Sequence, residues 1–288
     1  MGRRCLSTLA LAMALAMSSA VSVSGQAPQP GTPAPEVADT RPSLGLEPML
    51  DPSIGSSRGV RMMTIRGRLL SVNVGLPRQF EYNGRPAKSA IWKSPVAGRV
   101  AARGVNLAGD DQADRRAHGG SDKAVYAYAV EDLRWWEQGL GRSLQYGEMG
   151  ENLTTEGIDV NGALIGERWA IGTIVLEVSE PRVPCWRLAV RMNDKLFPRR
   201  FTEALRPGAY LRILVEGDVG AGDEIRVIER PDHDLTIRDV LRIYAFDRHD
   251  AGRLLAIPRM SESWRGWAEE LLQETKKVSA KATVPGCC

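Results

Sequence analysis

The stretch EPRVPCWRL, residues 180–188, holds the one cysteine in the body of the chain; the other three, Cys5, Cys287 and Cys288, lie at its extreme ends. Cys185 sits between Arg182 and Arg187 and directly follows Pro184. Nearby guanidinium groups favour the thiolate, the form of cysteine that attacks electrophiles and ligates metals. Pro181 and Pro184 stiffen the loop and fix where the sulfur points. The same arginines suit a phosphate or pyrophosphate group. A free cysteine is often only a small buried apolar residue. Two prolines and flanking charges argue against burial in an apolar layer, so a functional thiol is the preferred reading here.

Two further segments carry residue types of the same kind. RRAHGGSDKAVYAY, residues 115–128, places His118, Gly119 and Gly120 before a strand. Glycines without Cβ allow close backbone approach to a ligand, and successive N–H groups there can form an anion nest. Arg115, Arg116 and Lys123 add positive charge. Taken alone, the segment reads as a tight loop before a strand. GEMGENLTTEG, residues 147–157, combines glycines, carboxylates and the amide of Asn152, and taken alone reads as a solvated turn. One internal cysteine excludes an intradomain disulfide and a CxxC metal site. Three histidines, His118, His233 and His249, leave little room for a multi-histidine metal site.

These segments need elements to position them. The 288 residues are enough for one large domain, or one domain with a small appendage. A hydrophobic fraction of 43% with 25% charged residues is ordinary for a globular protein, and a net charge of +3 is too small to point to a nucleic-acid binder. Residues 1–61 read as a signal-like segment, with Arg3 and Arg4 ahead of an apolar run, followed by a disordered Pro/Gly/Ser linker. Met62 and Met63, directly before a strong strand, offer an alternative start. Over 62–230, TIRGRLLSVNVG, KAVYAYAV, AYLRILVEG and DEIRVIER read as strands. A hairpin is expected at Asn83-Gly84, and two strands joined at Gly172-Thr173 in ERWAIGTIVLEVSE. EDLRWWEQGL and FPRRFTEAL read as short helices, the first stopping at Gly139 or Gly141 and the second at Pro207-Gly208. Many short strands with few helices predict a mostly β, barrel-like domain. Residues 231–275 read as three short amphipathic helices, with Trp264, Trp267 and Leu271 on one face, docked on the barrel. Residues 276–288 read as a disordered tail.

HGGSDKAVYAY, GENLT and PRVPC, in that order and spacing, resemble the MOSC family, named for the C-terminal domain of molybdenum cofactor sulfurases; the similarity spans about residues 64–230. The three helices after Pro231 are similar to the "3-alpha" domain of the bacterial YiiM branch. The family often carries Lys two residues after the cysteine, where this chain has Arg187, which keeps the charge. The resemblance implies a mostly β, MOSC-type barrel that binds molybdenum cofactor (molybdopterin), with Cys185 as the metal ligand. It places His118, Gly119, Gly120, Lys123, Asn152, Arg182 and Arg187 around the pterin and its phosphate. It further implies reduction of N-hydroxylated compounds of the hydroxylaminopurine or amidoxime type. Electrons would come from a flavin or iron–sulfur reductase, because this chain has neither a second metal motif nor a dinucleotide fingerprint. The alternatives are a sulfur carrier, with a Cys185 persulfide charged by a pyridoxal-phosphate desulfurase, and a non-enzymatic cofactor carrier. No nucleic-acid polymer and no stable membrane insertion are expected. The expected location is the cytoplasm, with export as the alternative if the N-terminal segment is a genuine signal.

Overall fold

The computed structural model describes residues 65–113 and 119–282, with side chains to residue 277. The signal-like segment and linker read over 1–61 lie outside these residues, as does His118.

The first strand, β1 (Arg66–Val74), is followed by the hairpin β2 (Arg78–Tyr82) and β3 (Arg85–Ser89). Its turn falls at Asn83 and Gly84, with φ of 52° and 72°. Positive φ at both central residues matches the twist of the paired strands, the reason Asn-Gly marks such turns. Three short strands come next: β4 (Ser94–Pro95), β5 (Arg99–Arg103) and β6 (Asn106–Leu107). A 3-10 turn over Ser121–Lys123 leads into β7 (Val125–Ala129), and α1 (Val130–Leu140) follows directly. Gly141, in the left-handed conformation at φ 65°, ends that helix. Next come β8 (Leu153–Glu156), β9 (Arg168–Ile171) and β10 (Ile174–Pro181), then α2 (Trp186–Met192) and α3 (Phe197–Ala204). The strands β11 (Ala209–Val215), β12 (Gly217–Gly220) and β13 (Glu224–Glu229) close the domain. The C-terminal helices are α4 (Ile237–Ala245), α5 (Gly252–Leu255) and α6 (Glu262–Ala282).

The long strands form a mixed barrel in the order β13-β9-β10-β11-β7-β8-β1, closed by pairing of β1 with β13 through Arg66↔Arg226, Gly67↔Ile225 and Arg68↔Glu224. Closure leaves the ring without a free edge. Among the described strands only β7 and β8 run parallel, Ala127 facing Leu153. A parallel pair needs a crossover, which α1 and the loop after it supply. The expected barrel-like fold with a few short helices is the fold observed.

Every residue of β7 is buried, which its sequence VYAYA explains. Val125, Ala127 and Ala129 point into the barrel with Leu69, Leu153, Trp169, Leu176 and Leu211. Tyr126 and Tyr128 point the other way, into a second apolar cluster with Trp136 of α1, Leu188 and Met192 of α2, and Phe197 and Phe201 of α3. The two-residue period of a strand thus serves two cores. The first cluster continues into the C-terminal helices through Ile237, Val240, Leu254, Trp264, Trp267 and Ala268, with Leu271 packed against it. Thr236 and Asp239 form a reciprocal capping box at the start of α4.

Beyond the short strands β4, β5, β6 and β12, which the sequence reading does not include, three elements differ from it. Residues 186–192 form the helix α2, which the sequence reading does not include. Leu153–Glu156, read within a turn, is the barrel strand β8. The last helix runs to Ala282, so residues 276–282 are helical rather than part of a disordered tail. That stretch, KKVSAKA, has no Gly or Pro to stop a helix already nucleated upstream. No helix of the described residues is long and apolar enough to cross a membrane.

Candidate active site

A cleft opens where the end of β10, the start of α2, the residues after β3 and the 3-10 turn before β7 meet. Cys185, Arg182, Arg187, Lys123 and Asn152 all line it, together with Lys93, Asp110, Asp111, Gln112, Tyr126, Gly150 and Tyr210. Three segments separated by tens of residues are thereby gathered at one place.

Cys185 is half-buried and is the N-cap residue of α2, with an extended backbone at φ −126° and ψ 176°. Its carbonyl accepts from the Leu188 N–H at 2.9 Å. Leu188 and Met192 anchor the inner face of α2 in the second apolar cluster. A fully buried leucine contributes roughly 1.5–3 kcal/mol, enough to hold the turn that presents the thiol.

Arg182 is buried, 7% exposed. Its guanidinium donates to the Met149 carbonyl and lies 5.0 Å from the centre of the Tyr126 ring. Burial opposes its charge, yet the groups around it, Tyr126, Tyr210 and Cys185, more than offset that. The Cys185 sulfur is therefore within Coulombic reach of this cation. A register shift in β10 between Val178 and Glu180 breaks the strand's alternation just before this residue, and such bulges re-aim side chains. Gly150 makes the close approach possible: it has φ 79°, and a Cβ there would lie 2.9 Å from Ile91 and 3.7 Å from the Arg182 guanidinium.

Lys123 lies 3.3 Å from a carboxylate oxygen of Glu180. Burial lowers its pKa, but Glu180, with further help from Tyr210 and Asp122, more than reverses this, and the net shift is upward. Arg187 stacks its guanidinium 4.7 Å from the Trp186 ring. Asn152 is fully engaged: its amide oxygen accepts from the Tyr126 N–H, and its NH₂ donates to the Asn73 carbonyl and to Asp110. With both amide protons so used, Asn152 ties β8, β7 and β1 together at the floor of the cleft. Gly119 and Gly120 precede the 3-10 turn and are not among the described residues that line the cleft. Gly120 has φ 99°, and a Cβ there would meet nothing within 4 Å, so backbone conformation rather than crowding calls for glycine. His118, Arg115 and Arg116 lie outside the described residues.

Sequence reasoning missed a buried pair at the floor. Lys93 Nζ donates to both oxygens of Asp110, at 2.6 Å for Oδ2. Asp110 also accepts from the Gly75 N–H at 2.8 Å. Burial lowers the Lys93 pKa, and Asp110 offsets part of that. Nothing in AIWKSP or AGDDQ marks these two as partners, since neither spacing nor neighbours repeat a motif.

Glu151 was also missed. It is fully buried; Oε1 accepts from the Gly147 N–H at 2.6 Å and the Thr154 hydroxyl at 3.0 Å, while Oε2 has no hydrogen-bond partner among the described residues. Burial pushes its pKa up from 4.5 to about 7 against those hydrogen bonds and the Arg182 charge. An acid whose folded pKa exceeds its unfolded value keeps its proton longer when folded. The stabilisation is then fully present below about pH 4.5 and is lost as pH rises through about 7. A shift of that size corresponds to roughly 3 kcal/mol. Glu151→Gln, which stays neutral, should abolish this part of the pH dependence, so that urea unfolding finds the variant more stable than wild type at pH 8 but not at pH 4.5. Parallel stability curves for the two proteins would show that Glu151 does not titrate in this range.

Among the described residues no group of three or more His, Cys, Asp or Glu side chains could hold a metal ion.

The sequence pattern described as the MOSC domain matches residues 114–226, which span the cleft-lining segments from the 3-10 turn to β11. The Bacillus subtilis protein YflK is 36% identical over 206 residues, 69% of this chain and 92% of YflK. A Gibberella moniliformis protein named Reductase is 32% identical over 181 residues, 62% of this chain and 32% of that protein. The crystal structure of YiiM from Geobacillus stearothermophilus matches with a TM-score of 0.60 at 31% identity, covering 72% of this chain and 99% of its own.

Proposed function

Because this chain belongs to the MOSC domain family, in its YiiM-like branch, we propose that it binds molybdenum cofactor and reduces N-hydroxylated compounds with electrons from a partner reductase. The observation that carries the reading is the half-buried Cys185 thiol on the wall of a cleft that also presents the Arg182 guanidinium.

The residues present fit the cofactor. A single soft thiolate suits a metal that brings sulfur and oxygen ligands with it. Lys123, Arg182 and Arg187 supply cations for an anionic phosphate, and charge-assisted hydrogen bonds of this kind are the strong ones. Cys185 would hold the metal. His118, Gly119 and Gly120 are proposed to complete the anion-binding side from the segment next to Lys123.

When bound, the cofactor supplies the two electrons that cleave the N–O bond, with two protons, to give the amine and water. The chain's own groups set the surroundings. Lys123, held charged against Glu180, is a fixed cation rather than a proton source. Burial raises the Tyr210 pKa, so its hydroxyl stays neutral on the cleft wall. Asn152 and the Lys93–Asp110 pair keep the floor rigid and polar. The Gibberella protein named Reductase is matched over about a third of its length, which supports a division of labour between a domain like this one and a separate electron source. The proposed donor is a flavin or iron–sulfur protein, and the proposed location is the cytoplasm, where such donors are available.

The test is to purify the full chain from a cofactor-competent host, measure molybdenum per chain, and assay reduction of a hydroxylaminopurine with an artificial electron donor. Near-stoichiometric metal with turnover is expected. Arg182→Ala should lower cofactor occupancy about ten- to a hundredfold, the scale of one charge-assisted hydrogen bond. Metal without turnover would replace this reading with a cofactor carrier, and labile sulfur on Cys185 without metal would replace it with sulfur transfer.

A further inference from the structure

We infer that the segment Arg259–Ser261, just ahead of α6, belongs to the architecture of the cleft, and that Ser261 is a positioning residue for Lys123, acting through Glu180. The helical C-terminus is then a working part of the site rather than an appendage. The inference deepens the proposed function, resting on its reading of Lys123 as a cation that faces the bound anion.

Two chains of contacts run from this segment to the 3-10 turn over Ser121–Lys123. In the first, the Ser261 hydroxyl donates to Glu180 Oε2 at 2.7 Å, and Glu180 Oε1 lies 3.3 Å from Lys123 Nζ. Ser261 and Glu180 are each 2% exposed, so water does not substitute for either partner. In the second, the Arg259 carbonyl accepts from Arg212 at 3.1 Å, and Arg212 Nε donates to Asp122 Oδ1 at 2.5 Å. Arg212 also donates to Glu177 Oε1 at 2.9 Å, so β10 and β11 share the load. Adjacent residues of the turn, Asp122 and Lys123, are therefore each held by a barrel side chain that is itself braced by the segment before α6.

Glu180 explains why the brace matters. A buried carboxylate with one oxygen on a cation needs a donor for the other. Ser261 is that donor. Without it the carboxylate is under-satisfied, and its hold on Lys123 weakens. Lys123 is the end of this chain that lines the cleft. Burial already pushes the Glu180 pKa up against the opposing effects of Lys123 and Ser261, which agrees with a carboxylate that depends on both partners.

The test reads the turn directly in the ligand-free full-length protein. The Lys123 N–H donates to the Gly120 carbonyl and the Ala124 N–H to the Ser121 carbonyl, so exchange of these two amides reports opening of the turn. Ser261→Ala should speed both by about tenfold, the scale of one hydrogen bond to a charged group. The amides of Ala127–Ala129 in β7 should not change. Glu180→Gln keeps an acceptor for Ser261 but removes the charge facing Lys123, and should have the same local effect; it also serves if Ser261→Ala fails to fold. A general packing loss would act in any background. In Lys123→Met, by contrast, Ser261→Ala should add less than twofold. Unchanged exchange, acceleration spread through β7, or a full tenfold effect in Lys123→Met would each overturn the inference. None of these readings needs a cofactor, so a chain that proves to bind no molybdenum would fail the proposed function while exchange still decides this point.

Discussion

Cys185→Ser should yield a folded protein with molybdenum content reduced at least tenfold and no detectable turnover. Serine is nearly isosteric with cysteine, and a half-buried N-cap position accepts a hydroxyl readily. The change in stability should therefore stay within about 1 kcal/mol, as for most substitutions that open no cavity and bury no charge. The ligand is another matter. A neutral hydroxyl is a poor replacement for a soft thiolate on a metal with sulfur ligands. Arg182, Lys123 and Arg187 remain in place, so the variant should still retain more of the organic cofactor than of the metal. Elemental analysis, release of the pterin and the turnover assay read the three quantities separately. Full metal content and turnover in Cys185→Ser would remove direct ligation from the account and leave Cys185 as a helix-capping residue.

Asp110→Ala should be the most destabilising single change at the site, by about 3–5 kcal/mol, the usual cost of removing one partner of a buried pair. Asp110 satisfies three donors: Lys93 Nζ, the Gly75 N–H and the Asn152 side chain. The Lys93 side chain is only 9% exposed, so its charge would be left without a partner and largely without water. That loss is a large part of the 5–15 kcal/mol that holds a typical domain together. The exposed Arg199–Glu203 pair on α3 is the control, with side chains 63% and 49% exposed. Glu203→Ala should cost about 0.5 kcal/mol or less, because exposed i,i+4 pairs contribute little. Removing the orphan as well, in Asp110→Ala/Lys93→Met, should recover part of the stability. Urea unfolding of the four proteins decides the matter. An Asp110→Ala variant no less stable than Glu203→Ala would mean that the pair is loosely held and solvated.

What the sequence by itself determined is local. Asn83-Gly84 requires positive φ at two successive residues, and a hairpin follows from that alone. The alternation in KAVYAYAV and TIRGRLLSVNVG marks β7 and β1, and Gly141 ends α1, because each is settled by a few neighbouring residues. The same holds for Cys185, Arg182 and Arg187, which are close in sequence and declare their chemistry together. Lys123 and Asn152 came from motifs whose order could be read although their meeting could not.

Tertiary structure decided the rest. Barrel closure through β1 and β13 joins residues more than 150 positions apart, and no local pattern encodes that register. The strand β8 is short and lies in a glycine-rich stretch, so only its parallel partner β7 makes it a strand. Lys93 and Asp110 look like ordinary surface charges until the fold removes their water, and the same is true of Glu151 and Glu180. Asn152 lines the cleft and also links β1 and β7 to the start of β8, a structural part set by its bonds to Asn73, Asp110 and the Tyr126 N–H. Ser261 reads in the sequence only as a helix start, with nothing that points to Glu180. Its part is set by a single hydroxyl meeting a buried carboxylate across 81 residues of chain, a contact that exists only once the helices have packed on the barrel.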